Sequence, residues 1–267
     1  MPELPEVETV RRDLQTLVSG QVLRALCVCE HVHLLQNTTE GELKNRLLGQ
    51  TLRGIDRRGK YLLFDFGSDT LVLHLRMSGR LLIQPSHHTR LTLTFDETTL
   101  HFDDARRFGM LFVCPTERLD ELEPLKRLGL EPFSDAYRLE AFRTLMTSSQ
   151  EIKRLLLDQH KVAGIGNIYA CEALFYARVH PERPARSLDE SEVRALYVAI
   201  PEVLQRAIDA GGTSFRTYET PSGELGHFQE EFAVYGRENE PCRRCDTLIE
   251  RVAQGGRSTF VCPDCQC

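Results

Sequence analysis

What the chain lacks narrows it first. No apolar run approaches the ~20 residues that a membrane-spanning helix requires. The first residues are acidic and hold no apolar core of the kind a secretory signal needs, so a cytoplasmic location is expected. No internal repeat or low-complexity tract is present. A surplus of positive charge is missing too: 33 Lys and Arg stand against 39 Asp and Glu, a formal net charge of −6. Duplex-DNA binders are usually basic on the binding face, so the total alone favours another function. Local potential outweighs the sum, however. What an acidic total does predict is weak non-specific affinity for nucleic acid and a steep loss of binding with salt.

What is present bounds the fold. A hydrophobic share of 41% over 267 residues suffices for one large core or two smaller ones and argues against disorder. Near the start, Val7, Val10, Leu14 and Leu17 recur at helical spacing. After Gly20 the chain reads as β, with short runs at 22–28, 51–57, 61–66, 71–75, 80–84, 91–95, 99–102 and 110–113. Gly, Asp, Ser and Pro separate them, and eight such strands suggest a sandwich or barrel. A short helix is expected at 39–48. From Leu119 the period turns helical, with segments near 135–147, 151–158, 167–177 and 189–210. The stretch 128–132 reads as a linker, and Gly211-Gly212 closes the last long helix. The expected class is α+β: a helix and eight-stranded β-domain over 1–127, a helical domain over 128–228 and a small cysteine module over 229–267.

The N-terminus holds the most reactive chemistry. Pro2 is small enough for removal of Met1, which would leave a free secondary amine. An α-amino group titrates near ~8, so part of it is neutral and nucleophilic at pH 7, and it can form an iminium with an aldehyde-like carbon. Glu3 lies beside it as a proton donor or acceptor. The same residues also suit a plain helix start, with Pro5 in the first turn and Glu6 and Glu8 at the positive end of the dipole. The two readings are compatible.

Cysteines supply the strongest signal. Nine of them in a reducing compartment point to metal or free thiols rather than disulfides. Cys242-x-x-Cys245 and Cys262-x-x-Cys265, separated by 16 residues, match two knuckles of one tetrahedral, structural Zn2+ site joined by a β-hairpin. Cys267, Cys27, Cys29, Cys114 and Cys171 read as bystander thiols. Between the knuckles, Arg257 follows Gly255-Gly256, a position suited either to gripping phosphate or to plain solvation. Gly164-Ile165-Gly166-Asn167 is an anion-nest candidate or an ordinary helix–helix turn capped by Asn167. Arg57-Arg58-Gly59-Lys60 is a basic turn between strands. Met77 and Phe108 fall in Gly-containing turns with Arg106 nearby; they are either core residues or plugs for a gap in a base stack.

The run PELPEVETVRR, together with these motifs, resembles the formamidopyrimidine-DNA glycosylase family, and the resemblance spans residues 2–265. It implies a helix and β-sandwich, a helix–two-turn–helix domain and a zinc finger. It implies a bifunctional glycosylase and AP lyase that acts as a monomer on damaged double-stranded DNA. Oxidised purines would be excised and the strand cut by β,δ-elimination. Pro2 would be the nucleophile and Glu3 its acid, with Lys60 and Arg257 serving the phosphates. Glu6 would order water or hold the damaged nucleotide. Lys153 and Asn167 would bind phosphate, and His88 would contact DNA. Met77, Arg106 and Phe108 would fill the void left by the extruded base. RRGKYL and DARRFG favour this family over its pyrimidine-preferring sibling, the endonuclease VIII branch. A non-catalytic zinc-containing DNA binder is the other alternative. Lesion preference would be set by the loop 216–227, whose residues do not reveal it.

Overall fold

The computed structural model describes residues 1–29, 33–213, 221, 223 and 226–267. They form two compact units: Met1–Lys126 with Ala210–His227, and Arg127–Asp209 with Phe228–Cys267. Most of the loop expected to shape lesion preference lies outside the described residues.

The first unit opens with α1 (Leu4–Val18), for which Glu3 is the N-cap and Pro5 lies in the first turn. Its Val7, Val10, Leu14 and Val18 are buried, each contributing roughly 1.5–3 kcal/mol on removal from water. The strands β1 (Leu23–Val28), β2 (Gly54–Arg58), β3 (Tyr61–Asp65), β4 (Asp69–His74), β5 (Arg80–Leu82), β6 (Thr89–Phe95), β7 (Thr99–Asp103) and β8 (Met110–Pro115) make two four-stranded sheets. Their orders are β1-β6-β7-β5 and β2-β3-β4-β8, and every pairing is antiparallel. In β6 the period of two is plain: Leu91, Leu93 and Phe95 turn inward while Thr92 and Thr94 are half-exposed. Leu91, Leu93 and Phe102 of one sheet share a core with Leu62, Phe64 and Leu73 of the other, which makes the pair a sandwich. The helix α2 (Glu40–Leu47) starts at a capping box in which Thr39 and Glu42 satisfy each other's backbone N–H groups. A short α3 (Glu123–Lys126) ends the first segment.

The second unit holds α4 (Leu139–Leu145), α5 (Ile152–Leu157), α6 (Asn167–Tyr176) and α7 (Glu190–Asp209), then the hairpin β9 (Glu250–Gln254) and β10 (Arg257–Val261). Residues 169–175 of α6 are all buried, as expected of a helix that is apolar almost all round. Cys171 and Phe175 of α6 pack with Val234, Ile249 and Phe260. The cysteine module therefore shares its core with the helices, which is why the two form one compact unit. Among the described residues no helix is long and apolar enough to cross a membrane.

Candidate active site and nucleic-acid contacts

In the first unit the site begins at the N-terminus of α1. Pro2 is half-buried and Glu3 buried. In the translated chain Met1 acylates Pro2, so the amine is free only once Met1 is removed. The Glu3 backbone N–H donates to Glu6 Oε2 at 2.8 Å, and the Thr213 N–H donates to Glu6 Oε1 at 3.0 Å. Glu6 thus ties the helix start to the stem of the loop that follows α7. That stem is closed by a Thr213–His227 bridge and a His227 N–H bond to the Ala210 carbonyl at 3.0 Å. A Cβ on Gly226 would stand 2.3 Å from the Gly212 carbonyl oxygen, so glycine is required there.

One turn further along α1, Glu8 is buried and accepts from Arg11 at 2.9 Å, Arg12 at 2.9 Å and Arg57 at 3.1 Å. Burial works to raise its carboxyl pKa, but hydrogen bonds from Arg11 and Arg12 and the nearby guanidinium charges win and hold it below the ordinary carboxylate value. Arg57 Nη1 donates onward to the Gly59 carbonyl at 3.0 Å. Gly59, at φ +57°, and Lys60 form the two-residue turn between β2 and β3, where a first-position glycine suits the twist of the strands. Glu8 and Arg57 therefore anchor the Lys60 turn to the helix that carries Pro2. Lys60 is 4% exposed. Nearby, His74 packs edge-on to Tyr61 at 4.5 Å, and its Nδ1 accepts the Arg76 N–H at 2.9 Å. Burial, then the charges of Arg76 and Lys60, push its pKa down to about 3. His74 is thus a neutral acceptor, with its proton on Nε2.

Two turns of the same unit bring together the remaining first-unit residues. Met77 and Phe108 are 46% and 49% exposed, which costs energy in an isolated protein. Each follows an arginine in the left-handed region, Arg76 at φ +55° and Arg107 at φ +59°. The Arg106 guanidinium lies 4.7 Å from the Phe108 ring centroid. Asp104, buried, accepts from the Ser78 hydroxyl, from the Arg106 N–H at 3.2 Å and from the Gly109 N–H at 2.7 Å. His88 is half-buried, and its carbonyl accepts the Asp104 N–H at 3.0 Å.

In the second unit Gly164, at φ +89°, turns the chain between α5 and α6. Gly166, rather than Asn167, is the N-cap of α6. Gln159 holds the turn, accepting from Gly164 N–H at 2.9 Å and donating to the Ile165 carbonyl at 2.8 Å. Lys153 is only 1% exposed, and its ammonium bonds Thr259 Oγ1 at 2.6 Å and the Ser258 carbonyl at 3.2 Å. Asn167 Nδ2 reaches the same carbonyl at 2.9 Å. Both expected phosphate contacts therefore engage the backbone of β10 here. Above them, Gly255 at φ +57° and Gly256 at φ +75° form the hairpin turn, and exposed Arg257 opens β10. An open groove of ≈ 450 Å³ beside it is lined by Arg257, Ser258, Arg251 and Glu238.

The four sulfurs of Cys242, Cys245, Cys262 and Cys265 lie within 4.8 Å of one another, with Cys242–Cys265 at 3.9 Å and Cys245–Cys262 at 3.5 Å. A tetrahedral zinc with Zn–S bonds of ~2.3 Å sets its sulfurs about 3.8 Å apart. The donor set fits one structural zinc ion. The sequence pattern held no sign of Glu172. It is fully buried in α6 and accepts the N–H groups of Ala233, Val234 and Tyr235 at 2.8, 3.0 and 2.8 Å, fixing the chain that leads into the cysteine module. Burial raises its pKa despite those three bonds.

The chain is similar along its length to known proteins. Residues 1–111 match the formamidopyrimidine-DNA glycosylase N-terminal domain, 128–219 the H2TH domain of the same enzymes, and 239–266 the zinc finger found in FPG and IleRS. A formamidopyrimidine-DNA glycosylase of Thermus thermophilus is 47% identical, covering 100% of this chain and 98% of its own. That of Cytobacillus firmus is 42% identical over the full length of both. Among solved structures, the MutM (Fpg) protein of T. thermophilus superposes with a TM-score of 0.91 at 46% identity, over 99% of this chain and 98% of that one. Lactococcus lactis Fpg, in complex with DNA containing an abasic site, does so at 0.91 and 40% identity over 99% of both chains. With 42% and 47% identity to such enzymes along its whole length, the chain belongs to the formamidopyrimidine-DNA glycosylase family.

Proposed function

We propose that this member of the family excises oxidised purines, such as 8-oxoguanine and formamidopyrimidines, through the N-terminal amine of Pro2. The chain is a DNA glycosylase of base excision repair, and the damaged nucleotide must leave the base stack before its sugar can be reached. The amine of Pro2 adds to C1′ as the damaged base departs. Glu3 gives a proton to the ring oxygen, the sugar opens, and an iminium joins Pro2 to C1′. The iminium acidifies the neighbouring C–H bond. Loss of that proton expels the 3′ phosphate, and a second elimination expels the 5′ phosphate. Lys60 serves the phosphate nearest the reacting sugar and Arg257 grips the backbone. Met77, Arg106 and Phe108 fill the vacated stack. Glu6, which also holds the stem of the loop after α7, orders water or holds the damaged nucleotide; His88 contacts the DNA; Lys153 and Asn167, which also set the hairpin that presents Arg257, bind phosphate. Zinc supports that hairpin and takes no part in bond changes. The enzyme works as a monomer in the cytoplasm.

The proposal rests on one arrangement: Glu8 and Arg57 hold the turn of buried Lys60 against the helix whose start follows Pro2 and Glu3. A nucleophile, an acid and a cation on one rigid support are what proline-based elimination needs. The test is borohydride trapping on a duplex with 8-oxoguanine opposite cytosine, after mass measurement has verified loss of Met1. A covalent adduct that disappears when Met1 is retained, and weakens in Pro2→Gly, is expected. Trapping only on oxidised-pyrimidine duplexes would move the chain to the endonuclease VIII type of activity. Binding without trapping on any lesion would leave a non-catalytic DNA binder.

A further inference from the structure

We propose that Asp104 and Ser78 are positioning residues that lock the Met77 turn to the Arg106–Phe108 turn, so that the plugs enter the base stack as one wedge. This rests on the reading of those three side chains as void fillers. Neither turn is relaxed by itself. Arg76 and Arg107 both adopt the left-handed conformation, which is unfavourable for a residue with a long side chain. The turns lie far apart in sequence, and a buried carboxylate joins them. Asp104 Oδ1 takes the Ser78 hydroxyl from one turn and the Arg106 N–H from the other, while Oδ2 takes the Gly109 N–H. The Arg106 N–H also reaches Ser78 Oγ at 3.2 Å. Asp104 is 1% exposed, so these donors replace water around its charge.

The packing beneath repeats the coupling. A Cβ on Gly79 would lie 2.7 Å from the Phe102 ring, and one on Gly109 2.5 Å from it. Both turns therefore close on the same aromatic ring, from two directions in sequence. The side chains of Met77, Arg106 and Phe108 are all exposed at these turns. Two separate loops would each have to be ordered when DNA binds, and ordering opposes binding. Joined beforehand, they meet the duplex already arranged. The carboxylate and the hydroxyl touch neither the sugar nor the lesion in this assignment. They act only through the plugs.

The clamp separates two substrates. A duplex with 8-oxoguanine opposite cytosine has a stack to be plugged; a single-stranded oligonucleotide with an abasic site has none. Ser78→Ala is expected to slow single-turnover excision on the duplex about tenfold while borohydride trapping on the single strand stays within about twofold, the size of effect expected for coupled neighbours. Fluorescence of 2-aminopurine beside the lesion should report the same slowing of extrusion, and Ser78→Thr, which keeps the hydroxyl, should restore it. In a Met77→Ala background, Ser78→Ala should add nothing. Equal slowing on both substrates, or a full additional loss in the Met77→Ala background, would overturn the clamp. Wild-type activity with no effect of Ser78→Ala would overturn the clamp alone. A wild-type protein that traps on neither substrate would overturn the functional reading and the clamp with it.

Discussion

Two hairpins carry a cation at the turn, and they are secured from opposite sides. In the first, Lys60 is buried and the turn is held by charge: Arg57 bonds the Gly59 carbonyl and Glu8 binds Arg57. In the second, Arg257 is exposed, and a buried lysine and an asparagine hold the strand from beneath through the Ser258 carbonyl. The choice of cation suits each place. A lysine removed from water is sensitive to its surroundings and useful near reacting atoms, whereas an arginine keeps its charge and its fork wherever it meets a phosphate. The difference teaches that the supports, more than the turns, set how each hairpin fails.

Zinc removal gives the largest contrast. Structural zinc contributes about 10–16 kcal/mol of apparent folding energy in isolated fingers, more than many whole domains possess. Chelation, or Cys262→Ser, is expected to abolish duplex affinity and melt β9 and β10 while the sandwich keeps its circular dichroism and unfolding transition. Full affinity after chelation would erase the contrast. Next comes Glu8→Ala, which leaves the largely buried Arg57 guanidinium without its anion and should cost about 2–4 kcal/mol in urea denaturation. Strand cleavage dependent on Lys60 should fall with it, whereas Glu8→Gln should be milder.

Acid should also weaken the first hairpin. The folded pKa of His74, about 3, lies below its ordinary 6.5. Between those values the unfolded chain takes up a proton that the folded chain refuses, so stability falls as pH drops through that window. Glu8 acts in the same direction at lower pH. Its contribution is present above the ordinary carboxylate value and is lost as pH falls through its depressed one. Urea midpoints measured from pH 7 to 4 should decline, and His74→Gln should flatten the upper part of that decline. Lys153→Met should cost the second unit about 1–3 kcal/mol by stranding the partners of its ammonium, and weaken duplex binding although Arg257 is intact. The smallest effect on folding belongs to Arg257→Ala. Thermal stability should stay within about 0.5 kcal/mol, while the slope of log affinity against log salt should drop by about one phosphate contact. An unchanged slope would remove Arg257 from the phosphate role.

The sequence was legible wherever apolar periodicity or fixed spacing carried the information. The eight strands, the four cysteines and the helix that begins at Leu4 could be read because each depends on residues close together in the chain. The run expected from 51 begins instead at Gly54, since Thr51 makes only an isolated bridge to Val22. What escaped were carboxylates buried against donors distant in the chain. Glu172 binds residues 61 to 63 positions away, Asp104 holds Ser78 26 positions away, and Glu8 meets Arg57 49 positions away. Each looks like an ordinary surface acid until the fold supplies its donors. The setting of Lys153 escaped for the same reason: the resemblance gave it a phosphate to bind, and only the docking of β10 reveals that its ammonium bonds Thr259 and the Ser258 carbonyl.

Met1 is 43% exposed, within reach of an aminopeptidase. Under the proposed chemistry, any residue left ahead of Pro2 keeps the protein a proenzyme. Its fold, zinc site and DNA-facing turns can be complete while its nucleophile is still sealed in a peptide bond. Aminopeptidase access to the first residue then becomes the activation event. A tag fused ahead of Met1 would yield a well-folded protein that binds lesions and leaves them in place.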